Sequence, residues 1–417
     1  MGRFRGLLIV ACFLFFVCFC GPVSAMDVDG SVLNVSVNDT GSTNASLCQS
    51  DVNAGSVSLP DPQNLRTGKS YSSIQAAIDD PSTRDGDTIE VESGNYTENI
   101  ILNKRLTLRP ISGGNVVVCS LDSSIPVFTV TGDGSGSVID GFTITGGYYG
   151  VYLDSVHDCI IYGDNIFNNN MAGVYLSSSF GDVVSENILD FDGCSGIYLL
   201  NSNNNTISWN NASESCYGTY LVNSSDNVLS QNTLSSIMEY CDSTGIHIES
   251  SQNNYISNNT LMDNNLGIII EQDSQNNSVF SNIITNNGYG IYLIESLNSK
   301  IYDNEIYSND RTIYNIDSSA NICFNHILGT GICNECNGTT NAINNWWGAN
   351  NLIYTNSTTG QSSYNIWNQN GIISYDPWLI LRFDSTTLNN STYTVTVDLT
   401  HNSQGNDTSP QGHIPDG

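Results

Sequence analysis

Gly150-Val151-Tyr152-Leu153 is the first copy of a phrase that returns along the middle of the chain. Further copies, some of them looser, begin at Gly173, Gly196, Gly218, Gly245, Gly267 and Gly290. The intervals between successive glycines are 23, 23, 22, 27, 22 and 23 residues, and a degenerate copy starts at Thr312. Short apolar strands at a period in the low twenties predict a stacked repeat architecture, because one repeat cannot bury its own apolar face.

Each repeat reads as three short strands joined by tight corners. Side chains alternate along a strand, so Ile291 and Leu293 are expected to point inward and Tyr292 outward. We expect glycine to supply the backbone freedom of the corners, and asparagine to occupy left-handed corners and to stack along the coil axis. The asparagines in question follow each glycine by 13 to 15 residues: Asn165, Asn187, Asn211, Asn232, Asn259, Asn282, Asn304 and Asn325. The pattern predicts an all-β parallel β-helix of about 10–11 coils, each of about 22–23 residues.

The charge balance is strongly acidic and sparse. The formal net charge is -30, although charged residues make up only 12% of the chain. Nucleic-acid binding requires clustered lysine and arginine to neutralise phosphates, so a nucleic-acid partner is excluded. Anionic membranes and anionic glycans are disfavoured for the same reason.

The two ends of the chain differ from the repeats. Residues 1–25 read as a signal peptide, with Arg3 and Arg5 before an apolar run and a small-residue cleavage site at Val23-Ser24-Ala25, and no transmembrane segment is expected in the mature chain. Residues 26–63 read as a disordered linker, and 64–347 as the β-helix with a helical N-terminal cap at Ser72–Ile78. Residues 348–381 are predicted to form an aromatic C-terminal cap together with Trp346 and Trp347, and 382–417 to begin an incomplete immunoglobulin-like module.

These segments resemble a known family. Ser72–Ile78, the repeats from Gly141 onward, and Asn345-Trp346-Trp347-Gly348 are similar to the right-handed parallel β-helix of archaeal adhesin-like surface proteins. The coil repeat itself is shared with the pectate-lyase-like superfamily. The resemblance implies a right-handed β-helix, a location at the cell surface, and immunoglobulin-like modules after the cap. It implies little about any ligand.

An enzyme has to be argued from a site, because this coil hosts many activities. The sequence shows no Gly-His-Gly, Asp-Pro-His or Asp-Asp pair within the repeats, so no catalytic residue is assigned. The alternative is an acidic pair, Glu249 and Glu271, with His247 close by. Each glutamate follows its glycine by four residues, which predicts carboxylates on adjacent coils, near the roughly 5 Å spacing of retaining glycosidases.

No metal site or cofactor is assigned either. The alternative is a zinc site made of Cys323, His326, Cys333 and Cys336, since four soft ligands lie within fourteen residues. Disulfides or free thiols are the competing interpretation for an exported protein. Metal handling in the manner of β-helix accessory proteins for copper enzymes is a further hypothesis.

Two sets of residues carry the binding and modification predictions. The outward aromatic stripe is predicted to bind a neutral glycan or a surface protein, with cross-strand stacking as the structural alternative; it comprises Tyr152, Tyr175, Tyr198, Tyr220, Tyr292 and Tyr314. Asn-x-Ser/Thr sequons predict N-glycosylation at Asn95, Asn204, Asn211, Asn223, Asn258, Asn276, Asn337 and Asn356. Together these features predict a secreted, non-catalytic, adhesin-like glycoprotein, with a carbohydrate-active enzyme (a polysaccharide hydrolase or lyase) as the alternative.

Overall fold

The computed structural model describes residues 61–235, 243–350, 354–355, 366–369, 371–389 and 392–415. The predicted signal peptide and most of the predicted linker lie outside these residues. Within them the chain forms three long sheets whose strands follow one another in turn, so that each coil adds one strand to each sheet. The prediction of a parallel β-helix is confirmed.

The three sheets differ in length. Sheet 1 comprises Gln63–Asn64, Lys69–Ser70, Thr88–Val91, Thr107–Pro110, Val138–Asp140, Ile160–Tyr162, Val183–Ser185, Thr206–Ser208, Val228–Ser230, Tyr255–Ser257, Ser278–Phe280, Ser299–Tyr302, Ser319–Cys323, Thr339–Asn341 and Ile372–Ser374. Sheet 2 comprises Gly94–Thr97, Val116–Cys119, Thr143–Thr145, Asn165–Phe167, Ile188–Asp190, Asn211–Ser213, Thr233–Ser235, Thr260–Met262, Ile283–Thr285, Glu305–Tyr307 and His326–Ile327. Sheet 3 comprises Ile100–Leu102, Phe128–Val130, Tyr149–Asp154, Ala172–Ser177, Ser195–Leu200, Tyr217–Val222, Thr244–Glu249, Leu266–Glu271, Tyr289–Ile294, Arg311–Ile316, Ile332–Glu335, Tyr354–Thr355 and Ile366–Gln369.

Alternation along sheet 3 fills the interior. Ile291 and Leu293 are fully buried, whereas Tyr292 between them faces outward and is half-buried. The same parity holds on the neighbouring strands, because the parallel register places Ile291 beside Ile313 and Tyr292 beside Tyr314. One continuous apolar core therefore runs through the coils, as the repeat predicts.

The repeat glycines act differently from the expectation. Gly218 lies within a strand of sheet 3, and a Cβ atom there would lie 2.7 Å from the carbonyl oxygen of Gly245 on the next coil. Glycine is therefore required by the close approach of adjacent coils. The left-handed corners are instead mostly occupied by polar residues such as Asn168, Glu186 and Asn258.

A buried asparagine ladder runs along one corner of the coils. It comprises Asn187, Asn210, Asn232, Asn259, Asn282, Asn304, Asn325 and Asn345. Each side-chain oxygen accepts from the backbone N–H and the side-chain amide of the preceding rung; between Asn187 and Asn210 these distances are 3.1 and 3.0 Å. The predicted members Asn165 and Asn211 are wrong by one residue. Both are exposed and begin strands, whereas the inward position belongs to the residue before the strand, Asp164 or Asn210.

Three buried aspartates stand where other coils carry asparagine. Asp164 accepts from the Phe142 N–H at 2.7 Å, Asp182 from the Cys159 N–H at 2.8 Å, and Asp192 from Asn169. The second oxygen of each carboxyl has no hydrogen-bond partner among the described residues. Burial therefore raises the pKa of Asp182 to about 7 and the pKa values of Asp164 and Asp192 well above the usual range.

The ends of the stack carry different elements. The helix Ile74–Asp79 has Ser73 as its N-cap, and its Ile74, Ala77 and Ile78 are buried in the core. Trp347 is buried at the other end. Beyond it, Leu379–Asn389 and Thr392–Asn402 form an antiparallel pair, which leaves the predicted immunoglobulin-like module a prediction. No helix in the described part of the chain has the length and hydrophobicity to span a membrane.

Candidate functional site

The outward residues of sheet 3 form a ladder of aromatic rings, here called the tyrosine ladder: Tyr152, Tyr175, Tyr198, Tyr220 and His247, then Tyr292 and Tyr314 beyond Ile269. From Tyr152 to His247 the centroids of neighbouring rings lie 5.2, 5.0, 5.1 and 4.6 Å apart, and all four pairs are stacked. The rings therefore cover one another's faces.

This stacking changes what the ladder offers to a ligand. A sugar that packs on an aromatic residue needs a free ring face, and here the faces within the run are occupied by neighbouring rings. The outer surface presents ring edges and phenolic hydroxyls instead. Burial raises the pKa of Tyr198 and of Tyr292 to about 12, so these hydroxyls stay protonated and can donate hydrogen bonds at neutral pH.

At His247, between Tyr220 and Tyr292, the ladder meets a cluster of ionisable groups, here called the acid–imidazole cluster: His247, Glu249 and Glu271. Strand alternation puts His247 and Glu249 on the same outer face, and the parallel register places Glu271 beside Glu249 on the next coil. One ligand atom from each of the three residues lies within 4.8 Å of the others. The sequence predicted this neighbourhood.

Hydrogen bonds hold the cluster in place. The Tyr220 hydroxyl donates to Glu249, and His247 Nε2 lies 3.0 Å from a Glu271 carboxylate oxygen. His247 is only 5% exposed, and its Nδ1 finds no hydrogen-bond partner among the described residues. Burial, and then the bond to Glu249, raise the pKa of Tyr220, so this residue acts as a donor. The hydrogen bond from Tyr220 to Glu249 was not predicted. The register could have indicated it, because Tyr220 lies beside His247 on the preceding coil and Glu249 follows His247 by two residues on the same face.

The alternative zinc ligands are not brought together. Cys323 lies in sheet 1, His326 in sheet 2 and Cys333 in sheet 3, with Cys336 at the following corner. Residues a few positions apart fall on different faces of the coil, whereas residues one coil apart become neighbours. The prediction from Cys-x2-His spacing is therefore wrong. Burial raises the pKa of the Cys323 thiol to about 12, which keeps it protonated.

The predicted glycosylation sites all lie at the surface where they are described. Asn95, Asn204, Asn211, Asn223, Asn258, Asn276 and Asn337 are exposed, and Asn356 lies outside the described residues. Asn258 has a left-handed φ of 56°, Asn259 after it is a buried rung of the ladder, and Thr260 begins the next strand. The asparagine at the corner, the buried asparagine after it and the threonine that begins the strand together form a sequon. Coil geometry therefore explains part of the high number of sequons.

Two family models match the repeats. The model described as "Periplasmic copper-binding protein (NosD)" matches residues 82–241, and the model described as "Right handed beta helix region" matches residues 217–359. The described repeats therefore form a right-handed β-helix. A segment of 120 residues of this repeat protein is 40% identical to a cell surface glycoprotein of Methanothermus fervidus, and it covers 29% of this chain and 20% of that relative.

Two solved structures are similar to this chain at low sequence identity. The enzymatically active domain of tailspike protein 2 from bacteriophage CBA120 matches with a TM-score of 0.52 at 14% identity, over 79% of this chain and 56% of the other. The A-module of a mannuronan C-5 epimerase from Azotobacter vinelandii matches with a TM-score of 0.46 at 15% identity, over 72% of this chain and 94% of the other. At these identities the likeness concerns the fold alone.

Proposed function

We propose that this protein is an exported, non-catalytic surface glycoprotein whose β-helix has a structural or adhesive role. The observation that carries the proposal is the exposure of all seven predicted glycosylation sites that the structure describes, most of them at or beside coil corners. Glycans at such positions project away from the stack without disturbing its core. The similarity of one segment to a cell surface glycoprotein supports the same role.

Two further features support export. Cys119 and Cys216 each take part in a disulfide, which is typical of proteins that fold in an oxidising compartment. The acidic, sparsely charged composition is compatible with an extracellular surface and unsuited to nucleic acid. Location at the cell surface is part of the proposal.

The glycosylation test exploits the corner geometry. Thr260→Val removes the sequon at Asn258 but keeps the asparagine that the left-handed corner favours. Peptide mass mapping of protein from its native organism is expected to show glycan at Asn258 in the wild type and none in the variant. Thr233→Val is the matched control, because Thr233 lies beside Thr260 in the register and no sequon precedes it. Absence of glycan from all seven exposed sites would refute the glycoprotein assignment.

The binding role is assigned to the hydroxyl edge of the tyrosine ladder. A double variant, Tyr175→Phe with Tyr198→Phe, keeps the stacked rings and removes two outward hydroxyls. We expect its affinity for a neutral oligosaccharide bound by the wild type to fall about tenfold, because each lost hydrogen bond costs about 0.5–1.5 kcal/mol. Tyr255→Phe, at an exposed tyrosine of sheet 1, is the control. Equal binding by all three proteins on an array of neutral oligosaccharides would remove the ladder as the binding face.

A carbohydrate-active enzyme is the second candidate, favoured by the stacked carboxylates of Glu249 and Glu271. Tyr220 is already hydrogen-bonded to Glu249, and His247 to Glu271. These bonds favour a structural role for the two carboxylates over the roles of general acid and nucleophile. Turnover of any oligosaccharide on the same array, abolished by Glu249→Gln, would establish the enzyme in place of the non-catalytic role.

A further inference from the structure

We propose that the acid–imidazole cluster binds one divalent transition-metal ion, with His247 Nε2 and one carboxylate oxygen each from Glu249 and Glu271 as ligands. The three groups lie on adjacent strands of one rigid sheet, and their ligand atoms fall within 4.8 Å of one another. The proposal does not depend on the surface role. The residues that match the copper-binding family model end at 241, before all three ligands.

The cluster lies where two neighbouring outward columns of sheet 3 change in residue type. In the tyrosine ladder, histidine replaces tyrosine at 247. In the next outward column, Ser177, Leu200 and Val222 precede Glu249 and Glu271. Acidic residues in this column are adjacent only at Glu249 and Glu271 among the coils that the structure describes. The three residues that could ligate a metal thus lie within two successive coils.

Electrostatics favours a cation at this point. Carboxylates directly opposite one another on neighbouring strands destabilise a sheet. Neither glutamate forms an ion pair with lysine or arginine in the described part of the chain, and His247 is the partner of Glu271. A divalent ion neutralises both carboxylates at once, which a single imidazole cannot do.

The geometry needs only small side-chain adjustments. Zinc lies about 2.0–2.2 Å from nitrogen and carboxylate ligands, so two of its tetrahedral ligands are about 3.4 Å apart. His247 Nε2 and the Glu271 oxygen are already 3.0 Å apart, a distance that requires a proton or a cation between them. The Tyr220 hydroxyl orients Glu249, as outer partners of metal ligands do. The Glu271 side chain is 18% exposed, so water can take the remaining position.

The donor set selects the kind of ion. One imidazole and two carboxylates suit borderline ions such as Zn²⁺ or Cu²⁺. Ca²⁺ and Mg²⁺ prefer sites made of oxygen atoms alone. Soft Cu⁺ prefers thiolates and thioethers, which the cluster lacks.

The test is calorimetric titration of the chelator-treated full chain with Zn²⁺, followed by absorption spectra with Co²⁺ as a coordination probe. We expect one ion per chain. Glu271→Gln removes a ligand and should weaken Zn²⁺ binding by more than about 100-fold. Tyr220→Phe removes only an outer partner of a ligand, so it should weaken Zn²⁺ binding by about 10–100-fold. His247→Tyr should abolish binding and leave folding intact, because tyrosine is the residue of that column on other coils.

Glu335→Gln is the matched control. Glu335 lies in the same outward column and is hydrogen-bonded by Tyr314 much as Glu249 is by Tyr220, but it has Cys333 in place of the histidine. Its substitution should leave Zn²⁺ affinity unchanged. Circular dichroism of each variant confirms that the coils are intact. Absence of Zn²⁺ binding by the wild type, or binding that survives both His247→Tyr and Glu271→Gln, would overturn the proposal.

Discussion

Asp182→Asn is expected to raise the free energy of unfolding by about 4 kcal/mol at pH 8 and by little at pH 4. Burial raises the pKa of Asp182 to about 7 in the folded chain, whereas an aspartate in the unfolded chain has its ordinary pKa of 3.8. Between these two values the folded state holds a proton that the unfolded state has lost. Stability therefore falls as pH rises from about 4 to about 7, at about 1.36 kcal/mol per pH unit, and stays low above that window. Asparagine has no such titration and still accepts from the Cys159 N–H.

Urea unfolding of wild type and variant at a series of pH values from 4 to 8.5 measures the effect. The expected signature is a difference in stability that grows through the window, and Asp164→Asn should act in the same direction. Asp226→Asn removes the same charge from an exposed corner and is the control. A constant difference between Asp182→Asn and wild type at every pH would show that the buried carboxyl does not titrate as described.

Asn210→Leu is expected to lower the free energy of unfolding by about 3–5 kcal/mol. The Asn210 side-chain oxygen accepts from the backbone N–H and side-chain amide of Asn187, and its own amide donates to the Val184 carbonyl at 2.9 Å. Leucine fills the volume but leaves the Asn187 N–H buried without an acceptor. Buried polar groups without partners cost about 1–3 kcal/mol each, and several are affected here.

The adjacent residue provides the control for this substitution. Asn211 is exposed at the start of a strand, so Asn211→Leu should change stability by no more than about 0.5 kcal/mol. Both variants are produced in a host that does not glycosylate, since Asn211 begins a sequon, and their stabilities are compared by urea unfolding. Equal stability of the two variants would contradict the role of the buried ladder.

The coil could be predicted from the sequence because the repeat period and the alternation of apolar and polar residues recur over many repeats. The inward position of Ile291 and Leu293, the outward position of Tyr292 and the adjacency of Glu249 and Glu271 all follow from register alone. Details decided by contact between coils did not follow. Gly218 is needed for the approach of the Gly245 carbonyl, which no single repeat reveals.

The site was predictable in position but not in detail. Whether stacked tyrosines offer faces or edges depends on ring orientation, which alternation does not specify. The zinc prediction failed because a linear spacing was applied to a coil, where Cys323 and Cys333 lie on different sheets. Asp182 could have been recognised, since it occupies a column that holds asparagine at 205 and 227.

The asparagine ladder has a direction, and that direction matters for biogenesis. From Asn187 to Asn325, each rung's backbone N–H donates to the side-chain oxygen of the rung one coil further towards the C-terminus, and Asn345 is the last acceptor. In a growing chain, the last coil formed therefore has a ladder N–H group without an acceptor. The next coil supplies that acceptor. The coils can therefore assemble in the order of their synthesis, one at a time. The last rung, Asn345, is completed by carbonyls of Ile322 and Ala342 beside the tryptophan pair, so the stack finishes without an open amide at that rung's side chain.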